Sequence, residues 1–290
     1  MNATELLLAS RHRPRLIGFG ADEEPQVVFR YDEMQLCSPR WSPDGRFLTV
    51  ETCSSDEALL VSFPRREVEV LGRDLAPQWS PTRGTLILGT DTVFELDPDT
   101  MESQMLSLPS GQRTWSPTRD EVAVVQGGSV EIFDVATAEV VSTVSLEVDL
   151  GWGPSLPELT ALHWSPEGDA ILARAGLRML FLLRLDSQTI ELWTLPDWTE
   201  NDVVYGVDWA RDGRVAVSRS SPGRQRVEIY DAPLGSAVHV LEGATDPVWA
   251  DDGRLAVLTD AKGTLEVYTP DLTVAWTSDA EAPESMTWRP

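Results

Sequence analysis

Apolar residues in this chain recur in short runs of four to six, and Gly, Pro, Asp and Ser separate the runs. The runs are rich in β-branched and aromatic residues, as in VEIFD at 130–134 and VEIYD at 227–231. Runs of this length and composition are typical of β-strands. No stretch of 12 residues has the three- and four-residue spacing of an amphipathic helix, so the pattern predicts an all-β chain.

A repeat organises these runs into units. Its marker is Trp-Ser-Pro-Asp-Gly at 41–45, and weaker copies are Trp-Ala-Arg-Asp-Gly at 209–213 and Trp-Ala-Asp-Asp-Gly at 249–253. Successive marker tryptophans are 38, 36, 49, 45, 40 and 39 residues apart, which matches the length of a β-propeller blade. The seven marker tryptophans are Trp41, Trp79, Trp115, Trp164, Trp209, Trp249 and Trp288.

The two ends of the chain complete one unit. Only two residues follow Trp288, so its unit lacks three strands, and three runs before Trp41, at 5–9, 15–19 and 26–31, supply them. The sequence therefore predicts one seven-bladed β-propeller with four antiparallel strands per blade, closed by pairing of the C-terminal innermost strand with three N-terminal strands. The expected blades span 37–74, 75–110, 111–158, 159–202, 203–244, 245–281, and 282–290 together with 1–36.

Within each unit, the residue types indicate structural roles. Pro and Asp-Gly suit the tight turn between the first two strands. The marker Trp is large enough to fill the wedge between neighbouring blades, where burial of its ring contributes about 2–3 kcal/mol. We therefore expect the seven marker tryptophans to be structural.

The Trp-Ser-Pro-Asp-Gly units resemble the β-propeller repeats of TolB-type (WD-like) proteins. The runs that end in Phe133-Asp134 and Tyr230-Asp231 resemble the third strand of WD repeats. The units depart from WD repeats in two ways: no Gly-His dipeptide opens them, and Trp-Asp is replaced by Phe-Asp, Tyr-Asp or Leu-Asp. The resemblance covers nearly the whole chain and implies a rigid platform for protein interactions.

Charge and composition narrow the function further. The chain has 47 acidic and 23 basic residues, a net charge of −24, whereas nucleic-acid binding needs clustered positive charge. No run of 18 apolar residues occurs, and the first 15 residues lack a signal-peptide pattern, so we expect a cytoplasmic protein. The three histidines show no metal-ligand spacing, and neither a metal nor another cofactor is predicted.

The two cysteines, Cys37 and Cys53, flank the first hairpin. Counting across its turn places them nearly opposite each other. Two buried thiols are favoured in a reducing compartment, and a disulfide is the alternative.

Four tryptophans lie outside the marker positions. Trp193 and Trp276 fall in outer-strand runs and are predicted to pack there. Trp152 and Trp198 fall in the connections before Trp164 and Trp209, where the repeat provides no core position. Aromatic residues in adjacent loops are candidates for a protein-binding hot spot, and the alternative is that each folds back as a plug of its loop.

Acidic residues also collect in the connections that precede the marker tryptophans. They are candidates for binding a basic partner segment or a cation, and the alternative is a solvated surface. The residues are Asp74, Glu158, Glu200, Asp202, Asp246, Glu281 and Glu284. A basic cluster at Arg11, His12, Arg13 and Arg15 either binds an acidic partner or offsets the acidic residues at 22–24.

Catalysis has little support in the sequence. Arg40, His163 and Asp208 each precede a marker Trp near the predicted axis, and a His163–Asp208 pair would allow acid–base chemistry. The equivalent positions Gln78, Thr114, Val248 and Thr287 add no nucleophile or metal ligand set, and neither a nucleophile elbow nor a phosphate loop occurs.

The expected function is therefore a non-catalytic scaffold that presents a loop face to a protein partner. Neither a nucleic acid nor a membrane is expected as a partner. The first alternative is a propeller that binds a small molecule or peptide in its central channel. The second alternative is a propeller-fold hydrolase or lyase.

Overall fold

The computed structural model describes residues 6–10, 15–19, 25–31, 34–63, 65–149, 154–155, 158–259, 263–278 and 283–289. These residues form seven antiparallel sheets of four strands each and one short hairpin. The seven-bladed propeller with four strands per blade is thus confirmed. Within the described ranges, no helix is long and apolar enough to cross a membrane.

The first three blades follow the chain order. Blade 1 contains β4 (Leu36–Trp41), β5 (Phe47–Thr52), β6 (Glu57–Ser62) and β7 (Val68–Arg73). Blade 2 contains β8 (Gln78–Trp79), β9 (Leu86–Leu88), β10 (Val93–Leu96) and β11 (Ser103–Leu106). Blade 3 contains β12 (Arg113–Trp115), β13 (Glu121–Gln126), β14 (Ser129–Asp134) and β15 (Val140–Ser145).

A two-residue hairpin, β16 (Val148–Asp149) with β17 (Pro154–Ser155), separates blade 3 from blade 4. Blade 4 contains β18 (Leu159–Trp164), β19 (Ala170–Ala175), β20 (Met179–Arg184) and β21 (Thr189–Trp193). Blade 5 contains β22 (Val203–Trp209), β23 (Val215–Ser221), β24 (Arg224–Tyr230) and β25 (Ala237–Glu242). Blade 6 contains β26 (Ala244–Trp249), β27 (Leu255–Thr259), β28 (Thr264–Tyr268) and β29 (Val274–Ser278).

Blade 7 joins the two ends of the chain, as the sequence predicts. It contains β30 (Pro283–Trp288) next to β1 (Leu6–Ser10), β2 (Arg15–Phe19) and β3 (Pro25–Arg30). β30 pairs antiparallel with β1, and Trp288 lies opposite Leu6. The guanidinium of Arg289 donates hydrogen bonds to the carbonyl of Gly45 in blade 1, at 2.9 and 3.2 Å. Strand pairing and an inter-blade contact therefore both close the ring.

Marker tryptophans pack between successive blades. Trp288 of blade 7 packs against Ala256 and Val267 of blade 6, and Trp249 of blade 6 packs against Ile229 of blade 5. Arginines that follow a marker Trp in the sequence cover the marker ring of the next blade. Arg214 lies 4.6 Å from the Trp249 ring centre, Arg254 lies 4.9 Å from Trp288, and Arg289 lies 4.9 Å from Trp41.

β-Bulges interrupt the first strands of several blades near the strand start. The register shifts between Cys37 and Arg40 and, at equivalent places, in blades 4, 5 and 6. The bulge in β4 corrects the prediction for the two cysteines. Cys37 lies opposite Glu51, and the amide of Cys53 bonds to the carbonyl of Gln35, so the two cysteines are two residues out of register.

Candidate binding face at blades 4 and 5

The propeller has two faces that differ in their loops. One face, here called the loop face, carries the connections before each first strand and the turns between second and third strands. The opposite turn face carries the remaining two turns of each blade. A contact across blades 4 and 5 illustrates the loop face: the amide of Val204, after one such connection, donates to the carbonyl of Leu177, in such a turn, at 2.7 Å.

Arg219 of β23 supports the connection between blades 4 and 5. Its side chain is only 2% exposed. Nη1 donates to the carbonyl of Pro196 at 2.7 Å, and Nη2 donates to the carbonyl of Asp197 at 2.6 Å and to Oδ2 of Asp202 at 2.6 Å. One buried guanidinium therefore anchors the 194–202 connection at three points.

Two further buried ionic groups complete this cluster. Glu228 of β24 accepts hydrogen bonds from Arg219 at 3.2 Å and from Nε of Arg226 at 2.6 Å. The hydroxyl of Tyr230 donates to Glu228 at 2.6 Å, and burial together with this bond raises the pKa of the Tyr230 hydroxyl. The buried ionic cluster, Arg219, Arg226, Asp202 and Glu228, thus has two charges of each sign.

Asp202 occupies an internal position rather than the partner-facing position expected for it. Burial by itself would raise the pKa of the Asp202 carboxyl, but hydrogen bonds from Arg219 and from the Thr199 amide outweigh it and lower the pKa. The carboxylate is 2% exposed. Asp202 therefore holds the connection in place, because its Oδ2 accepts hydrogen bonds from both Arg219 and the Thr199 amide.

Trp198 also packs more deeply than an exposed hot-spot residue. It is half-buried against the apolar cluster that contains Leu195 and Val204, and Arg219 lies 5.3 Å from its ring centre. Trp152, the second predicted aromatic, lies outside the described residues. Of the predicted Trp152–Trp198 pair, the structure describes Trp198, whose ring lies partly inside the loop.

Two exposed apolar side chains lie beside this connection, and the repeat pattern does not predict their exposure. Leu177 and Tyr205 are each 51% exposed. Tyr205 lies at the bulge of β22, between Val204 and Gly206, and bulges redirect side chains in this way. Arg174 fixes the backbone here, because its Nη1 donates to the carbonyl of Tyr205 at 2.7 Å. The one sequence signal for Tyr205 is an aromatic residue directly before a glycine in a first strand.

The acidic residues predicted for the partner face are divided by the structure. Glu158, Glu200, Asp246 and Asp74 are exposed, whereas Asp202 is buried. Asp246 lies at the bulge of β26 with a positive φ of 50°. The side chains of Glu281 and Glu284, and those of the basic cluster Arg11, His12, Arg13 and Arg15, lie outside the described residues.

The three residues predicted to lie near the channel have different surroundings. Arg40 is exposed, and His163 and Asp208 are half-buried on first strands of adjacent blades. Burial, with the charges of Arg174 and Arg40, lowers the pKa of His163 to about 4. Burial raises the pKa of Asp208 to about 7, although the Trp249 amide donates to its Oδ2 at 2.6 Å. The pKa values of His163 and Asp208 are thus shifted by different neighbouring groups.

The remaining predicted residues are packing residues. Trp193 is 3% exposed and stacks edge-on against Tyr230, with ring centres 4.8 Å apart. Trp276 packs against the cluster of blades 6 and 7. Both were predicted to pack, and both do. Six marker tryptophans are buried and Trp209 is half-buried. In the described part of the chain, no three His, Cys, Asp or Glu side chains converge as metal ligands would.

Comparison with known proteins supports the architecture. The β-propeller domain of Cps50 (Swd1) from Myceliophteria thermophila superposes with a TM-score of 0.68 and 15% identity, over 91% of this chain and 93% of that one. TolB from Acinetobacter baumannii gives a TM-score of 0.56 and 14% identity, over 100% of this chain and 67% of that one.

A third similar structure is the dihydro-heme d1 dehydrogenase NirN in complex with DHE, with a TM-score of 0.60, 14% identity, and coverage of 98% and 74%. No family model and no curated protein sequence matches this chain. At these identities the comparisons show a shared β-propeller fold, and neighbours as different as Cps50 (Swd1) and a dehydrogenase show that the fold alone does not assign a function.

Proposed function

We propose that this protein is a non-catalytic interaction scaffold whose loop face at blades 4 and 5 binds a protein partner. The observation that carries the proposal is the pair Tyr205 and Leu177, two large apolar side chains that are half exposed on a rigid support. Aromatic and aliphatic anchors of this kind supply most of the binding energy in protein interfaces. We define the blade 4–5 patch as Leu177, Tyr205 and the exposed edge of Trp198.

The support beneath the patch favours binding because it limits the entropy lost on association. Arg219 bonds to two carbonyls and one carboxylate of the 194–202 connection, and Arg174 fixes the backbone at Tyr205. A surface that is already held in its bound geometry loses less conformational freedom when a partner arrives. The buried ionic cluster therefore serves the patch indirectly.

The charge around the patch indicates the chemistry of the partner. In the described connections at 158–160, 176–178 and 194–205, the exposed ionic groups are Glu158, Asp197, Glu200 and one cation, Arg178. Exposed carboxylates around an apolar centre favour a complementary basic rim and speed the encounter with it. The partner proposed here therefore has an apolar centre with basic flanks.

The experiment is affinity isolation of the tagged chain from its native host, with co-purifying chains quantified by mass spectrometry. The test variant is Leu177→Ser/Tyr205→Ser. The control is Leu234→Ser, which changes an exposed apolar residue on the turn face. We expect at least one chain to co-purify with the wild type and the control and to be lost with the double variant. Retention by a folded double variant contradicts the proposal.

A further inference from the structure

A second surface lies on the opposite side of the molecule, between blades 1 and 2. The strands of blade 2 have two, three, four and four residues, against six in every strand of blade 1. Blade 2 therefore leaves part of the flank of blade 1 uncovered. A cavity of about 420 Å³ occupies this place, here called the blade 1–2 cleft.

Apolar side chains form much of the cleft lining. Phe47, Leu60, Phe63 and Met101 contribute to it. Phe47 and Leu60 belong to the core between the two blades, whereas Met101 is 42% exposed at the rim. The base of the cleft is therefore formed by the buried side chains of Phe47 and Leu60, and its edge is formed by the flexible thioether of Met101.

An ionic bridge closes one end of the cleft. Arg46, from the first turn of blade 1, donates to both carboxylate oxygens of Asp99 in blade 2, at 2.8 and 3.0 Å, and its Nε contacts Asp44 at 2.5 Å. Two carboxylates thus surround the one guanidinium, so its positive charge is offset at this end of the cleft. The wall of the cleft that faces away from this bridge keeps its negative charge.

That wall is the outer strand β7 and the turn before it. Glu67 and Glu69 line the cleft. Among the described residues that line it on this side, the one counter-charge is Arg65, which lies 4.0 Å from Glu67 and is largely solvated. The hydroxyl of Ser62, also in the lining, is buried without a hydrogen-bond partner among the described residues. The wall therefore presents two carboxylates to the cleft, above a buried hydroxyl.

The apolar surface continues outward from the cleft. Phe94 and Met105 lie directly opposite each other on β10 and β11 and are 38% and 68% exposed. Phe94 alternates with Leu96, which packs in the core between blades 1 and 2. Since alternate residues of a strand share a face, Phe94 and Met105 extend the same blade 2 surface that lines the cleft.

We propose that the blade 1–2 cleft docks an extended, basic segment of a partner protein in which apolar and cationic side chains alternate. A cation lies against Glu67 and Glu69, and its aliphatic stem covers Phe63 and Met101, as long basic side chains do on apolar surfaces. The apolar residues of the segment cover Phe94 and Met105. The surface extends beyond the cavity, which favours a peptide segment over a single small cation.

The backbone of Met101 provides a test variant that spares folding. Met101 has a φ of 60°, the left-handed conformation that favours glycine. The equivalent turn residue in blade 3, Ala138, has a φ of 56°. Met101→Gly therefore removes the thioether and relaxes the backbone, while Ala138→Gly makes the same backbone change on another blade. Glu69→Gln is matched by Glu139→Gln, an exposed carboxylate of blade 3.

The experiment measures fluorescence anisotropy of the full chain with three labelled octapeptides. The probe is Gly-Leu-Arg-Leu-Arg-Leu-Arg-Gly, and in the two comparison peptides Ser replaces Leu or Glu replaces Arg. We expect only the probe to bind. Met101→Gly should weaken it about tenfold and Glu69→Gln about threefold, whereas Ala138→Gly, Glu139→Gln and Leu177→Ser/Tyr205→Ser bind as the wild type does.

Each other outcome overturns the proposal. Equal binding of the Ser peptide shows an attraction to negative charge alone. Unchanged binding by Met101→Gly and Glu69→Gln places the peptide elsewhere. A wild-type dimer in sedimentation that Met101→Gly converts to a monomer identifies a second copy of this chain as the occupant. Loss of probe binding in Leu177→Ser/Tyr205→Ser moves the site to the loop face.

Discussion

Blades 5 and 2 each contain a marker tryptophan, yet the surfaces that they form differ. Blade 5 has strands of seven, seven, seven and six residues, and blade 2 has strands of two, three, four and four. Long strands in blade 5 cover a buried ionic cluster that supports a loop from beneath. Short strands in blade 2 expose the side of blade 1 and leave a cleft.

Blades 5 and 2 also contain one buried glutamate each, and the surroundings of these two glutamates differ. Glu228 of blade 5 lies with Arg219 and Arg226 in a cluster that solvent barely reaches. Glu95 of blade 2 is 4% exposed, but its cation, Arg83, is 30% exposed. In these two blades, the longer strands enclose the polar groups as internal supports, and the shorter strands leave them partly open to solvent.

The largest expected effect comes from removing the centre of the blade 5 cluster. Arg219→Met leaves the buried carboxylates of Asp202 and Glu228 without their shared cation, and we expect the free energy of unfolding to fall by about 3–5 kcal/mol. Arg224→Met is the matched control, because Arg224 is exposed and pairs with Glu242 at the surface. Its expected change is within about 0.5 kcal/mol. Urea denaturation measures both, and equal losses would remove the distinction.

A smaller loss is expected from the corresponding change in blade 2. Arg83→Met removes the 3.1 Å contact with Glu95, but Thr85 and Gln104 still donate to that carboxylate, at 2.6 and 2.7 Å. We expect the free energy of unfolding to fall by about 1 kcal/mol. A loss as large as that of Arg219→Met, in the same denaturation series, would show that blade 2 is as sealed as blade 5.

A third prediction concerns pH and the channel side of blades 4 and 5. The pKa of His163 is lowered from 6.5 to about 4, so between these values the unfolded chain binds the proton and stability rises with pH. The pKa of Asp208 is raised from 3.8 to about 7, so the folded chain binds the proton and stability falls as pH rises. The two slopes oppose each other in the wild type.

Single variants separate these slopes. Asp208→Asn keeps an oxygen acceptor for the Trp249 amide and removes the falling contribution, so its unfolding free energy should rise more steeply than that of the wild type from about pH 4.5 to 6.5. His163→Gln should show a shallower or falling profile over the same range. Parallel profiles for all three proteins in urea denaturation would contradict the opposed shifts.

The sequence predicts the propeller because its marker is local and repeated. Each of the first six marker tryptophans directly precedes the turn of its own blade. The closing blade is predicted from the strand-like runs at the two ends of the sequence. The site is harder to predict because its supports are distant in sequence. Trp198 is partly inside its loop because Arg219 of β23 lies against its ring, and Asp202 is internal for the same reason. No run of residues near Trp198 indicates that partner.

Tyr205 shows a second limit. In sequence it is one residue of a strand-like run, and alternation gives it an ordinary position there. The bulge between Val204 and Gly206 turns it outward, and the bulge depends on how β22 pairs with β23. The same physical cause moves the two cysteines further out of register than the nearly opposite positions that counting predicts. Register shifts within first strands are thus the feature that a repeat pattern leaves undetermined.

The most direct test of the central claim is site-specific photocrosslinking in the native host. A photoreactive phenylalanine analogue replaces Tyr205 on the loop face or Leu234 on the turn face of the same blade. We expect a discrete adduct with one other protein from position 205, crosslinked through an apolar segment with basic flanks, and none of that adduct from position 234. The same adduct from position 234, or no protein adduct from position 205, would contradict it.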